Sequence, residues 1–131
     1  MSSETPTAPP SKTMFWAGWV LTVVVGLMMI MSGVMKLNGS EQVVEGFAHL
    51  GWPDKLALGL GIVEISCAVI YLIPQTTVLG AILLTGYLGG AIATHVRIGE
   101  GIIVQFALGV VVWLGIYLRD PRIRSLLPFR I

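Results

Sequence analysis

The chain has 131 residues, 55% of them hydrophobic and only 11% charged, with a net charge of +1 and a mean hydropathy of +0.85. A soluble domain carries about 25% charged residues, and a chain this short could not hide that much apolar surface from water. The composition therefore excludes an ordinary soluble domain. The absence of a basic tract sets nucleic acid aside as a partner. A single cysteine, Cys67, excludes an internal disulfide, a CxxC redox pair and a cysteine-built zinc site, and no metal site is expected.

Residues 1–13 are rich in Ser, Thr and Pro and are predicted to be a flexible tail. The first apolar run, at about 14–36, is too long for a signal-peptide core and reads as a retained membrane helix, with Trp16 and Trp19 suited to the interface. Ser40 can then cap a short helix that puts Val43, Val44, Phe47 and Leu50 on one side and stops at Gly51. Such an amphipathic helix lies on the membrane or lids a bundle. Further spans are predicted at about 55–73, 76–96 and 101–118. The turn Pro74-Gln75-Thr76 makes the second and third spans antiparallel neighbours. Residues 119–131 form a basic tail.

The expected fold is all-α: one membrane domain over 14–118, a transmembrane four-helix bundle with a short amphipathic helix between spans one and two. Four spans leave both termini on one side, with Lys12, Arg119, Arg122, Arg124 and Arg130, against Lys36, Lys55 and Arg97 on the other. The excess of cations near the termini puts both of them in the cytoplasm.

At about 100° per residue, the polar residues share faces with small ones. Lys36 lies in line with Ser32, Gly33, Met29, Thr22 and Gly18; Glu64 with Ala57, Gly61, Ala68 and Tyr71. Arg97 lies in line with Ala93, Gly90 and Gly86, whereas His95 points away from that stripe; Gln105 falls between Gly101 and Gly109. Glu64 is roughly 13 Å deep, at about 1.5 Å per residue from its helix end. A carboxylate at that depth needs a partner. The expectation is a pair with Lys36, Arg97 or both, around a pocket opening toward the outer half of the membrane. The candidate pocket residues are Lys36, Glu64, His95, Arg97 and Gln105. Two readings of Glu64 stay open: an ion pair that fixes helix register, or a carboxylate that handles protons or anchors a ligand. His95 is either an interfacial residue or a hydrogen-bonding and proton-shuttling group.

An ordered set of short motifs runs along the chain. Gly33-Val34-Met35-Lys36-Leu37 closes the first span, and Phe47-Ala48-His49-Leu50-Gly51-Trp52-Pro53 leads to Gly61-Ile62-Val63-Glu64-Ile65. Leu72-Ile73-Pro74, Leu79-Gly80-Ala81-Ile82-Leu83-Leu84, Gly90-Ala91-Ile92-Ala93-Thr94-His95 and Leu118-Arg119-Asp120-Pro121-Arg122-Ile123-Arg124 follow. In order and spacing the chain resembles the DoxX-like family of small bacterial four-span membrane proteins, over about residues 14–127. The resemblance implies a four-helix bundle in the bacterial cytoplasmic (inner) membrane. It singles out Lys36, Glu64 and His95, which sit in the family-like motifs.

The family takes its name from a subunit of a thiosulfate:quinone oxidoreductase. The resemblance therefore implies an accessory, non-catalytic subunit of a membrane redox system, holding a quinone or similar lipophile. No flavin, haem or iron–sulfur signature is present, so any catalytic cofactor is expected on a partner. The alternatives are a non-enzymatic scaffold or assembly factor, and a small transporter or lipid-binding protein. The expected partners are the lipid bilayer, a membrane or redox protein, and further copies of the chain.

Overall fold

The structure, a computed structural model, describes residues 11–53 and 55–127, and these residues are helical with no strand among them. The expected N-terminal tail lies mostly outside the described residues, as does the end of the basic C-terminal tail.

Helix α1 (Lys12–Asn38) begins two residues before the expected span because the Ser11 hydroxyl caps it, accepting from the Met14 N–H at 3.1 Å. Helix α2 (Glu41–Leu50) is capped by Ser40 and ends at Gly51, whose φ of 78° is the left-handed conformation that glycine adopts without strain. Helix α3 (Leu56–Leu72) runs to a 3-10 turn at Pro74–Thr76, followed directly by α4 (Thr77–Arg97). Helix α5 (Ile103–Arg119) follows. Asp120 then caps a single further turn, α6 (Pro121–Arg124), within the basic segment.

Each of the four long helices packs on two others: α1 on α3 and α5, and α4 on α3 and α5. Small residues permit the closest approaches. A Cβ on Gly18 would lie 2.6 Å from the Gly115 carbonyl, and one on Gly115 would lie 2.7 Å from Thr22 Oγ1. A Cβ on Gly80 would lie 2.3 Å from the Tyr71 backbone. These contacts pull the bundle tight at the end where the α3–α4 turn lies. There Val25, Ala68, Tyr71, Ala81, Leu84, Val112 and Ile116 form a buried core. The Tyr71 hydroxyl, fully buried, donates to the Val112 carbonyl at 2.7 Å across the bundle.

Outward-facing positions are large and apolar, including Val20, Leu27, Met31, Leu58, Ile62, Ile82, Ile103 and Phe106. The segments Lys12–Asn38 and Pro74–Arg97 are long and apolar enough to cross a membrane by themselves. Helices α3 and α5 are apolar but shorter, at 17 residues each.

Candidate functional site

The other end of the bundle is open. Gly33 and Gly61 hold α1 close to α3 there, a Cβ on Gly61 falling 2.8 Å from the Gly33 carbonyl, but Gly86, Gly89 and Gly90 of α4 and Gly101 before α5 have no packed atom within 4 Å of where a Cβ would stand. Between them lies a cavity of about 900 Å³. Its walls come from all four long helices, with Phe47 and Leu50 of α2 and Trp52 closing one side. Most of the lining is apolar, including Met28, Met29, Leu60, Val63, Leu88, Val104 and Leu108.

Glu64 lies on the wall of this cavity and is only 2% exposed. Its Oε1 accepts from Lys36 Nζ at 2.9 Å, Tyr87 Oη at 3.1 Å and Ser32 Oγ at 3.3 Å. Lys36 also donates to Ser32 Oγ at 2.9 Å. The geometry follows from antiparallel packing of α1 on α3. Lys36 is one turn beyond Ser32, its side chain is only 16% exposed, and its ammonium turns inward to the carboxylate. A lone charge at this site would be expensive; the pair and its two hydroxyls replace the lost hydration.

His95 and Gln105 meet on the opposite wall. His95 Nδ1 lies 2.7 Å from the Ala91 carbonyl, which can only accept, so Nδ1 carries a hydrogen and donates it there. Gln105 Nε2 lies beside the ring, 3.3 Å from its Nε2 and 3.4 Å from its Nδ1. That orientation leaves Gln105 Oε1 buried without a partner.

The five candidates thus divide. Lys36 and Glu64 form one pair and His95 and Gln105 another, and all four line the cavity. Arg97 does not line it: its guanidinium donates to the Leu50 carbonyl at the end of α2. The stripe expected to carry Arg97 toward Glu64 is cavity wall at Gly86 and Gly90, and then turns outward. His95, expected to point away from that stripe, lines the same cavity because the opening is wider than a single helix face.

Tyr87 was missed by sequence reasoning. The available signal was a polar-tipped aromatic in the middle of an apolar helix, where its hydroxyl must find a partner. Which partner depends on how α4 is rotated against α3. Cys67 is buried a turn from Glu64 as a free thiol among the core residues.

A second tie holds α2 over the opening. His49 Nε2 lies 2.8 Å from Glu100 Oε2 in the α4–α5 link. Together with the Arg97 contact to Leu50, this fastens α2 to the far side of the cavity.

Compared with known proteins, residues 20–117 match the model of a family described as the DoxX-like family. No curated protein and no solved structure matches the chain.

Proposed function

This chain belongs to the DoxX-like family, a family of membrane proteins, and from that premise we propose that it binds a quinone or similar lipophile inside a four-span membrane bundle. In this reading α1, α3, α4 and α5 all cross the bacterial cytoplasmic membrane with both termini inside. At 17 residues, α3 and α5 are at the lower end of the roughly 17–25 that a span requires. The belt of outward apolar side chains on all four helices supports the arrangement.

The observation that carries the binding proposal is the cavity itself. Its volume of about 900 Å³ is near the top of the roughly 300–1,000 Å³ typical of small-molecule sites. Its walls are mainly apolar, with convergent polar groups at Glu64 and at His95–Gln105. That combination suits a greasy molecule with a polar head. With a quinone bound, the protein would serve a membrane redox system as an accessory subunit, the catalytic cofactor residing on a partner protein.

The test is to purify the protein in mild detergent and identify co-purifying lipophiles by mass spectrometry, alongside Glu64→Gln. A defined lipophile in the wild type, depleted in the variant, is expected. Absence of any ligand from both, with the variant only less stable, would leave Glu64 a structural pair and turn the reading to a scaffold or assembly role.

A further inference from the structure

The polar groups of the cavity are unevenly used. All three donors around Glu64 converge on Oε1. Oε2 receives no hydrogen bond from any described residue. It is also not among the sealed, unpartnered side-chain atoms, which are Gln105 Oε1 and Arg119 Nη2. Oε2 therefore keeps contact with open space, and the space beside Glu64 is the cavity.

On the other wall, the Gln105 amide nitrogen lies against the His95 ring, and Gln105 Oε1 has no donor but is sealed away from the open space. The cavity thus offers one unmatched acceptor in contact with its space, Glu64 Oε2, and around it the donors Lys36, Ser32 and Tyr87 are already engaged on Oε1. An unmatched buried acceptor is costly, and the cost is removed by a donor on whatever fills the space. Charge narrows the choice further. Lys36 and Glu64 are the charged side chains on the wall and they cancel, so the site has no net charge to offer a cation or an anion.

We propose that the cavity selects a neutral lipophile whose head carries a hydroxyl donor, with Glu64 Oε2 as the accepting atom. This rests on the lipophile-binding reading and deepens it. A quinone ring has only carbonyl acceptors, so within a quinone couple the site would favour the reduced, dihydroxy form.

The test uses a pair of probes, a long-chain alkyl hydroquinone and its dimethyl ether, under anaerobic conditions that keep the hydroquinone reduced. Binding to the full-length protein in detergent is followed by the change in tryptophan fluorescence, Trp52 being the tryptophan that lines the cavity, with Trp52→Phe as the control. The two probes match in ring and tail and differ in their donors. The dihydroxy probe is expected to bind at least about tenfold more tightly, given the strength of hydrogen bonds to charged acceptors. Glu64→Gln, which removes the charged acceptor, should reduce that preference several-fold while leaving the ether's affinity within about twofold, a pattern that lost folding would not give. Equal binding of both probes would overturn the donor selection, with water satisfying the acceptor, and would leave lipophile binding standing. Binding of neither probe would overturn both.

Discussion

Glu64 is held by side chains from two other helices, and removing one member of such a set is more damaging than replacing the whole. Lys36→Met leaves a carboxylate that is 2% exposed without its cation, a change that costs about 3–5 kcal/mol in comparable buried pairs. Lys36→Met combined with Glu64→Gln removes both charges and is expected to recover at least half of that loss. Denaturant unfolding in detergent checks the cycle; additive losses would show that the two side chains do not interact. At the other end of the bundle, Arg122 hydrogen-bonds the Asp120 carboxylate and holds it below the usual carboxylate range. A depressed folded value adds stability that is complete above the unfolded pKa of about 4 and fades as pH falls through the folded value. Wild type should therefore exceed Asp120→Asn in Tm at pH 7. The gap should close at lower pH and should not exceed the equivalent of about 1 kcal/mol, because Arg122 is 84% exposed.

Among the helices, closeness of approach is set by where glycine meets backbone. Gly80→Ala would drive a methyl to within 2.3 Å of Tyr71 Cα and N and is expected to destabilise by about 1–3 kcal/mol, since α3 and α4 must part. Gly89→Ala meets nothing within 4 Å and should be neutral or stabilising by up to about 1 kcal/mol through helix propensity. Thermal unfolding of the two variants distinguishes a packing glycine from a merely permissive one. Helix α2 buries Phe47 and is joined to the α4–α5 link by the exposed His49–Glu100 pair and the Arg97 contact. An exposed pair contributes about 0.2–1 kcal/mol. Glu100→Gln should therefore speed release of a bound lipophile about two- to fivefold, read by stopped-flow fluorescence, with little change in unfolding. An unchanged release rate would show that α2 does not guard the opening.

For the whole molecule, the helices pack closely toward the end bearing the chain termini, and the large apolar cavity opens at the end bearing α2. With both termini in the cytoplasm, as proposed, the cavity lies in the outer half of the membrane and the α3–α4 turn lies inside. A membrane-impermeant thiol reagent applied to intact cells should then label Glu100→Cys and not Gln75→Cys. Labelling of Gln75→Cys instead would reverse the orientation. The buried Cys67 provides a low background for either measurement.

The sequence alone determined the family, the helical architecture and the element order, because composition, apolar run length and turn residues act locally. It also marked Glu64 as a residue in need of a partner, since an ionisable group inside an apolar run is costly whatever surrounds it. The stripe of Gly18, Thr22, Met29 and Gly33 is the buried face of α1, and that of Ala57, Gly61, Ala68 and Tyr71 is buried on α3. Periodicity identified these faces because helix packing repeats the intrahelical period. Only the tertiary structure decided that Lys36 reaches Glu64 while Arg97 turns to Leu50, and that Tyr87 completes the cluster. Those outcomes depend on the rotation and spacing of one helix relative to another, which no single helix encodes. The same holds for the cavity: glycines that look alike in sequence meet backbone at Gly18, Gly80 and Gly115 and meet empty space at Gly86, Gly89 and Gly90.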